Sequence, residues 1–449
     1  MSRTLRHACV PLFILACVLL GGSPQGLWRN ALLQALGAGL LAWAFLSPRP
    51  SSPTRAGRML LVLGALWFVL LLLQLVPLPP ALWSALPGRE VAATGFELRG
   101  EPLPWLPLSL APAETMAVLP AMLVPLAVIA CMLVLGAYRS RWCIAALLAG
   151  TVISVLLGAV QISQGGPYLF PIHNDGATGL FANSNHQGTL LLLSIPFLAA
   201  LIGRERKSRG KEGSGRIVIA LGGLAIVLVG LVLNGSLAAL LLAGPVMLAS
   251  LFLALPRLWR WRGAGALVVT LLLAGAALAM ARSDVGTTKV SVTSRAEIYG
   301  KTMDAIADSF PIGTGLGSFE KVYRQYEDPG LVDRFFVNNA HSDPLEWLLE
   351  TGLAGALLLL ALLSWWSRLA WRWARADGSD LMAGAGVVAS AAILAHSLVD
   401  YPLRDPAIQA AFALCLAFMA DPRSHVAARA SSRSPRHLSL DDMAEPVSG

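Results

Sequence analysis

The string NNAHSDPLEWLLE, residues 338–350, sets a single imidazole, His341, just ahead of a helix start. Asp343 fits the N-cap, Pro344 the first helical position and Glu346 the third, so two N-terminal signals coincide. Unpaired amides at such an end favour anions and disfavour a charged ring. A neutral His341 beside a bound phosphate group is therefore sound chemistry, and neutral imidazole accepts a proton near pH 7. The competing reading is an interfacial histidine that only hydrogen-bonds backbone, and the residues alone leave both open. Glu346 and Glu350 lie four apart on one helical face, where a carboxylate can orient the imidazole or an acceptor hydroxyl.

Cations for an anionic substrate are few. Arg295 opens the segment SRAEIYGKTMDAIADS, where Ser294 and Glu297 have capping-box spacing and Tyr299, Met303 and Ile306 repeat at helical intervals. A guanidinium at a helix start suits bidentate phosphate contact; a solvated surface arginine is the alternative. Lys301 and Arg324 are weaker candidates, because Asp304 and Glu320 offer them salt bridges. A second helical face, Phe319, Val322, Tyr323 and Tyr326, follows the glycine turn GTGLG, and both helices are expected on the membrane surface. Further on, AHSLVDYPLRDP sets His396 and Asp400 one turn apart, followed by Arg404 and Asp405. An ionisable group costs about 2.5 to 3.5 kcal/mol at mid-bilayer, so these need partners, either as a brace or as ligand contacts. The loop at residues 164–187 holds His173, Asp175, Asn183, Asn185 and His186, and its amides either hold a hydroxyl-rich ligand or satisfy turns.

The elements that must position these groups are membrane helices. Of 449 residues, 56% are hydrophobic and only 13% charged, the balance of a polytopic membrane protein. Apolar windows of about 20 residues recur about twelve times, centred near Ile14, Gly39, Trp67, Pro125, Ser154, Ile195, Ile226, Pro245, Leu272, Leu360, Ala389 and Ala413. The expected fold is all-α: residues 1–281 carry the first nine spans, 282–351 form a large periplasmic loop with short amphipathic helices, 352–420 carry the last three, and 421–449 form a disordered cytoplasmic tail. Runs such as RERKSRGKEGSGR place most Lys and Arg on one side with both termini, the cytoplasmic side by the positive-inside rule. The first apolar run reads as a retained helix, since GGSPQG lacks a clear cleavage site. The net charge of +8 is spread along those inner loops, so no nucleic-acid partner is expected. The five cysteines sit in or beside spans and suggest neither disulfides nor a thiolate metal site. The proline-rich segment 78–112 reads as an irregular outer loop anchored at headgroups by Trp83 and Trp105. GTGLG is a turn, with a helical pattern and a proline ahead of it instead of the strand that a dinucleotide site needs.

Together PLSLAPAET, GLFANSN, SRAEIYGKTMDAIADSFPIGTGLGSF, NNAHSDPLEWLLETGLAG and HSLVDYPL resemble the O-antigen ligase and polymerase superfamily of bacterial inner-membrane glycosyltransferases. The resemblance implies a multi-pass fold working without cofactor, metal or nucleotide sugar. Its donor is an undecaprenyl-diphosphate-linked glycan in the membrane, and its acceptor is lipid A-core for a ligase or another repeat unit for a polymerase. It assigns His341 to catalysis and Arg295 to the donor diphosphate; Asn339, Glu346, Arg324 and Arg404 are this sequence's own further substrate-binding candidates. One departure stands out: where the family has Ser-Arg, this chain has Ser236-Leu237, so a diphosphate contact is missing and either Arg404 or Arg324 is the substitute or activity is altered or absent. A transporter or flippase and a non-catalytic scaffold are the readings from other classes.

Overall fold

The computed structural model describes residues 3–24, 28–48, 52–170, 176–208, 211–255, 271, 274, 295–330, 336–376 and 380–421. These build helices α1 (Arg3–Leu20), α2 (Trp28–Leu46), α3 (Arg55–Gln74), α4 (Pro80–Trp83), α5 (Glu90–Leu98), α6 (Pro112–Ala121), α7 (Leu123–Leu133), α8 (Ser140–Gln164), α9 (Ser184–Ser208), α10 (Lys211–Asn234), α11 (Leu237–Ala254), α12 (Arg295–Ser309), α13 (Phe319–Tyr323), α14 (Asp343–Arg375), α15 (Leu381–Ser397) and α16 (Pro406–Ala420). A short pairing joins β1 (Pro77–Leu78) antiparallel to β2 (Leu106–Pro107).

Each expected span falls on a helix except the ninth, near Leu272, which lies outside the described residues, as do most of the loop before it and the tail beyond Asp421. Among the described residues seven helical stretches are long and apolar enough to cross a membrane, namely α3, α6 with α7, α8, α9, α10, α11 and α14, while α1, α15 and α16 are shorter apolar helices. The α6–α7 pair breaks at Met122, where Pro125 has no N–H for the carbonyl of Ala121. Helix α9 is the central post, with 94% of its apolar window buried against 22% for α3, which keeps most of its surface for lipid. Glycines let neighbours approach closely, Gly150 against Val18, Gly230 against Val155 and Gly386 against the Cys415 carbonyl, as membrane helix packing favours.

The segments expected on the outer face depart from expectation in instructive ways. Helices α12 and α13 do not offer their apolar faces to a membrane surface. Instead Ile298, Ala305, Ile306, Phe319, Val322, Tyr323, Ala340 and Leu349 form a second small core, so the buried stripe of α12 runs through Ile298, Thr302 and Ile306 while Met303 is exposed. Trp83 is no headgroup anchor either; it is buried and donates to the Pro104 carbonyl at 2.8 Å, whereas Trp105 is exposed. The GTGLG turn is a lock: Thr314 and Gly315 amides donate to Leu349 and Glu350 carbonyls at 3.0 and 2.9 Å, and Gln74 of α3 joins both Glu350 O and the Leu316 amide. Opposite it, Gly352 interrupts α14 with φ 56° and ψ −148°. A Cβ there would sit 2.2 Å from the Pro311 carbonyl oxygen, so only glycine allows turn and helix to meet. The buried Arg89 ties the 78–112 segment to the same turn by donating to Leu108 and Gly313 carbonyls; burial lowers its pKa to about 10.

Candidate functional site

Helix ends gather at one end of the bundle: the starts of α9, α11, α14 and α16, the end of α15, and Arg295 at the start of α12. Their polar residues form two adjoining buried clusters.

The first is centred on Asp400, fully buried just past α15. His341 Nδ1 and His186 Nε2 each lie 3.7 Å from its Oδ1, and Arg295 Nη2 lies 3.9 Å from its Oδ2. Those separations are charge contacts rather than hydrogen bonds. Asn185 donates an amide N–H to Oδ2 directly, and the Tyr401 amide donates to Oδ1 at 2.8 Å. Asn185 is itself held by Ser236, whose hydroxyl donates to its Oδ1 at 2.6 Å and whose side chain caps α11. Burial opposes ionisation of Asp400, yet the two imidazoles outweigh it and hold the carboxyl well below the ordinary range. The Tyr401 ring meets both His186 and His341 edge-on at 4.8 and 5.2 Å, and burial raises its phenol.

His341 itself has φ 51°, a conformation seldom held by a non-glycine residue and frequent at functional sites. Its carbonyl accepts from the Tyr299 hydroxyl at 2.9 Å. Nδ1 is buried toward Asp400 without a hydrogen-bond partner, while the side chain as a whole is 27% exposed, so the exposure belongs to the rest of the ring. Asp400, rather than Glu346 or Glu350, is the carboxylate beside the imidazole.

The second cluster explains where those glutamates go. Arg404 Nη2 pairs with Glu346 at 3.0 Å and Glu350 at 2.8 Å, and its Nε lies 3.9 Å from Asp343. These three carboxylates raise the Arg404 pKa against the effect of burial, so the guanidinium is charged but already neutralised. Glu346 also accepts from the Ala340 amide at 2.9 Å, fixing the residue before His341, and Glu350 accepts from the Gly317 amide at 2.9 Å. The N-cap of α14 is Ser342, with no side-chain cap bond, instead of Asp343; Asp343 turns inward to the Ser397 hydroxyl and the Leu403 amide.

Of the sequence candidates, His341 and Arg295 converge on Asp400, while Glu346 and Arg404 pair with each other next door. Asn339 is half-buried two residues before His341. Arg324 is exposed and pairs with Glu320 one turn earlier, away from both clusters. His396 is fully buried and hydrogen-bonds Thr189 at 2.8 Å. His173 and Asp175 lie outside the described residues. Among the described residues no group of three or more His, Cys, Asp or Glu side chains is spaced to hold a metal ion, and the five thiols are free.

The sequence offered Asn185, His186 and Asp405 only as ligand contacts or structural braces, and nothing in it joined them to His341. Their signal was faint: a loop without Lys or Arg that still carries amides and imidazoles, and an Asp ahead of a proline-started helix.

No curated protein matches the chain. Residues 222–360, which include Ser236, Leu237, Arg295, His341, Glu346 and Glu350, match the O-antigen ligase family model and place this part of the chain in the O-antigen ligase superfamily.

Proposed function

We propose that the protein is a metal-independent inverting glycosyltransferase that moves a glycan from undecaprenyl diphosphate to an acceptor hydroxyl of lipid A-core, at the periplasmic face of a bacterial inner membrane. One observation carries the reading: a partly exposed imidazole turns one nitrogen toward a buried carboxylate that also touches a guanidinium. With Nδ1 carrying the proton that faces Asp400, Nε2 of His341 is the free base. The acceptor hydroxyl attacks the anomeric carbon from the face opposite the diphosphate. Its proton passes to Nε2, the bond from the anomeric carbon to the diphosphate oxygen breaks with its electron pair, and configuration inverts. Asp400 stabilises the imidazolium so formed, as the buried aspartate does in a Ser-His-Asp triad. Arg295, 23% exposed, is the cation for charge developing on the diphosphate.

A polymerase of O-antigen or exopolysaccharide repeats uses the same chemistry with a glycan hydroxyl as acceptor; product analysis separates the two, since a ligase decorates lipid A-core and a polymerase lengthens the lipid-linked chain. The test of the base is His341→Ala in reconstituted membranes with undecaprenyl-linked donor and both acceptors. Loss of transfer by at least about 100-fold with normal membrane insertion is expected; near-normal transfer refutes the assignment.

A further inference from the structure

The strongest unabsorbed feature is His186, third residue of α9 and 1% exposed. Its Nδ1 lies 2.8 Å from Asp405 Oδ2 and its Nε2 lies 3.7 Å from Asp400 Oδ1, and both aspartates are fully buried. We propose that His186 is a positioning residue: a permanently charged imidazolium held between Asp405 and Asp400, which keeps Asp400 ionised and aimed at His341.

The inference rests on the transferase reading and follows from charge balance in a dry site. Two buried carboxylates stand within one short segment, and the other cation touching them, Arg295, reaches only Asp400, at 3.9 Å. A buried carboxylate persists as an anion only when paired and hydrogen-bonded. An imidazole protonated on each nitrogen donates to Asp405 at 2.8 Å and holds its positive charge 3.7 Å from Asp400. Tyr401 packs edge-on against the same ring at 4.8 Å. The remaining neighbour of Nε2 is Asn183 Nδ2 at 3.5 Å, the contact that a neutral ring would use as acceptor.

Two measurements test this on the full-length protein. In the first, histidine is labelled with nitrogen-15 and the His186 signals are assigned by their loss in His186→Gln. Both ring nitrogens should remain protonated across the neutral pH range; a neutral ring with an unprotonated Nε2 overturns the proposal without reference to activity.

In the second, the acid limb of the transfer pH profile is followed, with undecaprenyl-linked donor and lipid A-core as probes. The charged and titratable groups facing this ring pair are Asp400, Tyr401 and Asp405 beside α16, His396 from α15, Asp343, Glu346 and Arg404 around the start of α14, and Arg295 and Tyr299 from α12. With the other groups retained in both variants, His186→Gln removes a positive charge and shifts the limb to higher pH. Asp405→Asn removes a negative one and shifts it to lower pH. Each shift should be on the order of one pH unit, and the double variant should return toward wild type. Shifts in the same direction, or none, overturn the proposal; a purely structural role lowers activity without opposed shifts. Should wild type prove inactive, the transferase reading fails and the labelling result alone judges His186.

Discussion

Asp400→Asn is the substitution that bears most directly on the proposed chemistry, because it keeps the shape of the side chain while removing its charge. At 3.7 Å from His341 Nδ1, and with an effective dielectric of about 20, the attraction of this carboxylate for an imidazolium is about 4.5 kcal/mol before screening. The ring is 27% exposed, so water reduces that figure. A surviving 2 to 3 kcal/mol of transition-state stabilisation corresponds to a loss of about 30- to 160-fold in kcat. Donor KM should change little, since Asp400 is fully buried and has no surface for substrate. The assay is single-turnover transfer from undecaprenyl-linked donor in proteoliposomes, which separates chemistry from product release. In a His341→Ala background the same substitution should cost almost nothing further, because two residues acting as one unit are not additive. A kcat within threefold of wild type, or an undiminished loss on top of His341→Ala, would refute the reasoning.

Other expectations follow from the same contacts. Arg324→Ala should leave transfer within about twofold of wild type, because its guanidinium is exposed and engaged with Glu320, where surface pairs contribute about 0 to 1 kcal/mol; a large rise in donor KM would restore it as a phosphate contact. Gly352→Ala should destabilise the fold by at least about 1 to 3 kcal/mol, read as a lower thermal midpoint in detergent, since φ 56° and the Pro311 carbonyl both exclude a Cβ. Leu237→Arg should lower donor KM, because Leu237 is 43% exposed and follows the serine that holds Asn185; an unchanged KM would show that the family's guanidinium is not what this site lacks.

How much of this was legible in the sequence depends on the range of the signal. Spans follow from local hydropathy, but the break in α6–α7 does not, since Pro11, Pro196 and Pro245 stand inside unbroken helices. The end of the outer segment at Gly352 was visible as a change from charged to apolar residues, although the interruption of α14 there was not. His341 and Arg295 could be named because each sits at a local helix signal. Asp400 was visible as an ionisable group in need of a partner, but its partner Asn185 lies 215 residues away in the chain, and no periodicity carries that distance. The fate of Glu346 and Glu350 was hidden for the same reason, since Arg404, their counter-ion, arrives from the segment between α15 and α16. Trp83 was misplaced because interfacial tryptophans are common, whereas here the β1–β2 pairing closes the 78–112 segment over the indole.

The positions of the buried charges along their helices bear on the rival transporter reading. A transporter places ionisable groups near mid-membrane on interrupted spans. Here His186 is the third residue of α9, Glu346 and Glu350 precede the interruption at Gly352, His396 is one residue from the end of α15, and Asp400, Arg404 and Asp405 lie between α15 and α16. All belong to one end of the bundle, where helix termini already present unpaired amides and the cost of charge is smaller. A site so placed needs no alternating access: under the proposed function a lipid-linked donor would enter it from within the bilayer and a hydroxyl acceptor would meet it at the same surface. The arrangement therefore suits chemistry at a membrane boundary better than passage across it. A transport role would require a second polar gate at the opposite end, where the described ion pairs, those of Glu205 with Arg141 and Arg216, join neighbouring helix ends instead of lining a path between them.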